Sequence, residues 1–118
     1  MEYSYKYLEH ERKSKWGKDF VFMEVEGKAV GRVYMYDDEE DVAYIEGLHV
    51  SENERLKGLG SNLLAKLIDK CKELGAKRCV LWCFKKEWTH DWYQRIGFNY
   101  LDEYDDDLDG VWMYMDLI

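Results

Sequence analysis

No stretch of the 118-residue chain is long and apolar enough to cross a bilayer. Its N-terminus, Met1-Glu2-Tyr3-Ser4-Tyr5-Lys6, lacks the apolar core of a signal peptide. A cytoplasmic location and no membrane partner are expected on these grounds. Cysteine is scarce and odd in number. Cys71, Cys79 and Cys83 form no Cys-x-x-Cys pair and all fall in apolar periodic segments, so buried free thiols are expected rather than disulfides or a zinc site. Positive charge is in deficit, with 17 Lys and Arg against 25 Asp and Glu and a formal net charge of −8. General binding to nucleic acid or to an anionic membrane needs a basic surface and is excluded, whereas a cationic ligand or a basic protein partner would suit. No internal repeat, low-complexity linker or break in composition divides the chain, and residues 1–118 read as one domain.

What is present favours a folded core. Hydrophobic residues make up 47% and aromatics 16%, with five Trp and ten Tyr, which is far from the composition of a disordered chain. Met1 to Leu8 alternates with period two and reads as a first strand, followed by a charged connection from His10 to Lys18. Phe20 to Val25 reads as a second strand. Glu26-Gly27-Lys28 is a tight hairpin turn into a third, Ala29 to Tyr36. The acidic Asp37-Asp38-Glu39-Glu40-Asp41 reads as a solvated loop before a fourth strand, Val42 to Val50.

Beyond Gly60, Leu63, Leu64, Leu67, Ile68, Cys71 and Leu74 fall on one face of a helix that Gly75 ends. The continuous apolar run Cys79 to Phe84 reads as a strand buried on both faces. Trp88, Trp92, Tyr93 and Ile96 mark a short second helix ended by Gly97. Phe98 to Tyr104 and Val111 to Leu117 read as two last strands, with an acid-rich turn between them. The order β-β-β-β-α-β-α-β-β is that of a mixed α+β domain, mostly antiparallel with one strand-helix-strand crossover.

Between the fourth strand and the first helix lies Arg55-Leu56-Lys57-Gly58-Leu59-Gly60. A glycine-bearing loop there aims unpaired backbone N–H groups from the positive end of the helix dipole, beside two cationic side chains. That arrangement suits a phosphate or pyrophosphate. Further on stands Trp92-Tyr93-Gln94-Arg95-Ile96-Gly97-Phe98.

These two blocks, in this order and with a helix and a strand between them, resemble the GCN5-related N-acetyltransferase superfamily. Its acyl-CoA signature R/Q-x-x-G-x-G/A is matched by Arg55, Gly58 and Gly60, and the resemblance covers about Phe20 to Ile118. It implies acetyl-CoA as co-substrate and an amine-bearing small molecule or protein as acceptor: a polyamine, an aminoglycoside, or a protein lysine or N-terminus. Acetyl would pass directly within a ternary complex. It also implies that the backbone of Leu56 to Ser61, with Arg55 beside it, holds the pyrophosphate, and that Leu48, His49 and Val50 border the pantetheine arm. Two departures stand out. Members usually carry two helices between the first and second strands, where this chain has about ten residues, and Lys86 stands where asparagine is common. A more open acceptor site follows, and a non-catalytic acyl-CoA sensor or interaction module is the alternative reading.

An amine of pKa about 10.4 must lose its proton before attack. Glu46, two and four residues before Leu48 and Val50, is expected on their face of the strand and is the candidate base; its other reading is an ordinary strand-edge carboxylate. His90, near the cleft, is the second candidate. His49 is expected to point to the opposite face and to be packed. Tyr93 occupies the position from which the family protonates the departing thiolate, and otherwise reads as a core aromatic. The acidic run Asp102 to Asp107 would either attract a cationic acceptor or form a solubilising turn. Exposed aromatics in the first or last strands would suit a homodimer.

Overall fold

The computed structural model describes residues 6–51, 58–103 and 107–117. Seven strands form one sheet: β1 (Tyr7–Lys13), β2 (Gly17–Glu24), β3 (Ala29–Tyr36), β4 (Val42–Val50), β5 (Arg78–Phe84), β6 (Asn99–Tyr100) and β7 (Gly110–Asp116). Their spatial order is β1-β2-β3-β4-β5-β7-β6. Every neighbouring pair is antiparallel except β4 and β5, which are parallel and joined by the crossover helix α1 (Leu59–Glu73). A second helix, α2 (Trp88–Ile96), leads from β5 to β6 at the far edge.

Both helices sit on one face of the sheet. Alternate residues there, among them Phe20, Phe22, Val33, Ile45, Leu81 and Met113, join Leu63, Leu64, Leu67 and Cys71 of α1 and Tyr93 of α2 in one buried cluster. This is the mixed, mostly antiparallel α+β architecture expected from the element order. All three cysteines are buried free thiols, as expected. The opposite face is different: no helix covers it among the described residues, and Trp82, Phe84 and Trp112 are 42%, 51% and 44% exposed.

Four boundaries differ from the sequence reading. β1 occupies Tyr7–Lys13 and pairs with β2 through Lys13 and Lys18, so most of the expected connection is strand and only Ser14 to Trp16 turn the chain. An edge strand has one neighbour and little surface to bury, so charged residues serve where alternation was sought. Residues 1–5 of the expected strand lie outside the described residues. The run Cys79 to Phe84 is buried throughout only on the helix side, at Cys79, Leu81 and Cys83. On the other face Val80 is buried but Trp82 and Phe84 are exposed, because no helix covers them among the described residues. β6 is just two residues long: Phe98 turns into the core and Leu101 closes the pairing by donating its N–H to the Trp112 carbonyl (3.0 Å). The α2 stripe is likewise narrower than expected, with Tyr93 buried but Trp88 and Ile96 exposed.

A cleft through the sheet as candidate active site

The site begins with one extra residue. Arg32 pairs with Glu46, but Val30 pairs with His49, so Gly47 and Leu48 together oppose Gly31. This is a β-bulge whose first residue, Gly47, has φ 62°, in the left-handed region that favours glycine. The bulge reverses the parity of the strand. Ala43 and Ile45 face the core before it, and Leu48 and Val50 do so after it. Glu46 therefore does not share the face of Leu48 and Val50. It stands with Tyr44 on the helix-free side, against the expectation drawn from unbroken alternation.

The bulge also turns β4 away from β5. Their ladder runs from Val42–Arg78 to Tyr44–Val80 and stops. Beyond Tyr44, from Ile45 to His49, the edge of β4 that faces β5 has no strand partner among the described residues, so an extended chain could add itself there. The gap is a cleft of about 340 Å³. Tyr93 and Cys83 line it from the helix side, and Tyr44, Glu46, Trp82 and Trp112 from the open side. On the helix side it continues, past Leu48, Glu87 and Thr89, into a second cavity lined by His49, Val50, Gly60 and Trp92. The opening thus passes through the sheet, with a mouth on each face.

At the helix-side mouth lies the start of α1. Gly58 is its N-cap at φ 78°, no side chain among the described residues caps the helix, and its first turn carries no acidic residue. The N–H groups of the first turn and the positive end of the dipole are thereby left for an anion. Gly60 borders the cavity for a steric reason: a β-carbon there would stand 3.4 Å from Val50 and 3.8 Å from the Trp92 indole, narrowing the mouth. Leu59 itself is fully buried, and its carbonyl accepts from the Tyr7 hydroxyl at 3.1 Å. Ser61 is exposed beside them. Arg55, Leu56 and Lys57 lie outside the described residues.

Tyr93 is 6% exposed, against Trp92 and Phe98. Burial, with a smaller contribution from Cys83, pushes its hydroxyl well above the ordinary tyrosine value, so it stays protonated. Burial likewise pushes the Cys83 thiol up to about 11. Glu46 keeps its carboxylate available. Arg32, directly across the ladder, is turned to buried Asp19 by hydrogen bonds of 3.1 and 2.9 Å, and Glu46 has no ion pair among the described residues. His49 is exposed at the second cavity rather than packed. His90 is not brought to either cavity: its Nε2 is 3.0 Å from the Tyr100 hydroxyl and its ring stacks on that of Tyr100. Glu87 and Thr89, which border both cavities, carried no signal in the sequence beyond their place at the start of α2.

The profile of the acetyltransferase (GNAT) family matches residues 1–98 of the sequence. No curated protein matches it at a significant level. Solved structures do. A Bacillus subtilis acetyltransferase in complex with CoA has a TM-score of 0.73 at 17% identity, over 98% of this chain and 100% of that one. A GNAT family acetyltransferase from Elizabethkingia anophelis with acetyl-CoA bound has a TM-score of 0.70 at 17% identity, over 94% and 98%. A third, from Desulfovibrio desulfuricans, has a TM-score of 0.74 at 16% identity, over 86% and 70%. These are likenesses of fold.

Proposed function

Since this chain belongs to the acetyltransferase (GNAT) family, with acetyl-CoA as its co-substrate, we propose that it acetylates a primary amine entering the cleft from the helix-free face. The observation that carries this reading is the opening between β4 and β5. One mouth ends at a helix N-terminus with no side-chain cap, the other at a carboxylate with no ion pair, both among the described residues, and buried Tyr93 lines the passage. The residues present fit the coenzyme. Gly58, Leu59, Gly60 and Ser61 would hold its pyrophosphate through backbone N–H groups, joined by Arg55, Leu56 and Lys57 of the same loop. The edge of β4 at Leu48, His49 and Val50 would hold the pantetheine arm, and a backbone N–H there would bond the thioester oxygen as it gains charge.

When bound, acetyl-CoA supplies the activated carbonyl, and the protein supplies proton transfer and alignment. Glu46 takes a proton from the incoming ammonium, directly or through one water. The amine nitrogen would then bond to the carbonyl carbon as the carbon–sulfur bond breaks, and Tyr93 would give its hydroxyl proton to the departing thiolate. The second proton shed by the nitrogen would return through water to the Tyr93 oxygen. Burial keeps that hydroxyl protonated before the step, the state a proton donor needs.

Release of free thiol from acetyl-CoA, measured over a panel of amines and lysine peptides, tests the proposal. Thiol should appear only when an amine is present. Tyr93→Phe should lower kcat by about 100-fold, with coenzyme affinity nearly unchanged. Coenzyme binding with no turnover on any amine would overturn the reading, and an unaltered kcat would remove Tyr93 from it.

A further inference from the structure

On the helix-free face a cup of about 420 Å³ opens beside the cleft and shares Tyr44, Glu46 and Trp112 with it. Its walls are aromatic. Tyr36 and Tyr44 meet edge to face with centroids 5.3 Å apart at 90°, and Tyr44 and Trp112 meet at 6.2 Å and 81°. Three carboxylates, Glu39, Glu46 and Asp102, stand around the rings, and among the described residues no Lys, Arg or His lines the cup. The Tyr44 hydroxyl donates to Glu39 Oε2 at 2.9 Å, fixing that carboxylate against the rings. Burial first, then Glu39, pushes the Tyr44 hydroxyl up to about 12, so this donor persists across the working range of pH.

Ring faces attract alkylammonium groups, and carboxylates add a net charge to the same end. We infer that this cup is an anchoring subsite for a second ammonium group of the acceptor, which makes the preferred acceptor a linear diamine or polyamine. The inference rests on the acetyl-transfer reading above. One end of the acceptor stays charged in the cup while the other, neutralised at Glu46, reaches the thioester. A monoamine lacks the anchored end, and an acceptor with a carboxylate at that end is repelled.

Two measurements separate the cup from the transfer reaction. Tetramethylammonium titrated into the coenzyme-free protein, followed by tryptophan fluorescence and NMR, should bind saturably. That binding should weaken at least tenfold in Tyr36→Leu and Glu39→Gln, two residues that line the cup and not the cleft. In turnover, α,ω-diamines of graded length should show an optimum, at which kcat/KM exceeds that of n-butylamine at least tenfold. Both variants should lose that preference while n-butylamine turnover holds. Saturable cation binding without turnover on any amine would sink acetyl transfer to amines and leave the cup standing. Turnover without diamine preference, or no saturable binding of tetramethylammonium, would overturn the cup and leave the transfer reading intact.

Discussion

Gly60 separates two reasons for which a glycine is kept. Its φ is not positive, so the backbone would accept another residue. A β-carbon would make only ordinary contacts with Val50 at 3.4 Å and Trp92 at 3.8 Å, so what it would take is space in the mouth proposed for the coenzyme. Gly60→Val should therefore fold normally and lose coenzyme affinity at least tenfold, as read by calorimetric titration beside a thermal melt. Retained affinity would mean that the pyrophosphate lies elsewhere. Gly58 and Gly60 were legible in the sequence because a loop of this kind is set by local chain spacing, as is the Trp92 to Phe98 block. Glu46 was named for a reason that does not hold. It reaches the cleft because the bulge isolates it from Leu48, and because Asp19 takes the arginine that would have neutralised it. Neither fact is local in the chain. His90 was misplaced for the same reason, its partner Tyr100 lying ten residues on in a strand the sequence placed only loosely.

Among the elements, β3 and β4 match their expected bounds to the residue, because both are central in the sheet. β1 does not, since an edge strand displays charge. What ties that edge to the fold is a residue the sequence would assign to solvent. Lys70 lies on the buried side of α1, its ammonium 2.7 Å from Glu9 of β1 and 4.4 Å from the centre of the Phe20 ring. Its carbon stem covers the core while its head reaches the edge strand. Burial pulls the Lys70 pKa down, but Glu9 and Glu73 together outweigh it, and the net shift is upward from 10.5. The folded value is the higher one, so the contribution to stability is complete below about pH 10.5 and is lost as pH rises past the raised value. Glu9 is 41% exposed, which keeps the pair modest. A double-mutant cycle of Lys70→Met and Glu9→Gln in urea should give a coupling of about 0.5–1 kcal/mol, equal at pH 7 and pH 9. A coupling that faded between those two values would contradict the raised lysine.

At the scale of the molecule, two features make the cleft run through the sheet. Among the described residues, the tight turn at Ser14 to Trp16 leaves one face without helices, and the bulge at Gly47 parts the parallel pair β4 and β5. The first was legible as a shortage of residues between the first two strands. The second was legible in principle: Ile45 and Leu48, both core-facing, are three apart where a regular strand requires an even number, and a glycine stands between them. That parity break allows a clean test. Deleting Gly47 restores unbroken alternation through Ala43, Ile45, Leu48 and Val50, and brings Val30–His49 into the same register as Arg32–Glu46. No core side chain changes face, so the variant should melt cooperatively. With the bend removed, β4 can continue its pairing with β5 beyond Tyr44–Val80, which fills the edge proposed for the pantetheine arm and closes the passage. Coenzyme affinity should fall at least tenfold and thiol release should vanish, while far-UV circular dichroism stays that of the parent. A folded deletion variant that still binds coenzyme and turns over would show that the opening does not depend on the bulge, and the two-sided cleft would need another origin.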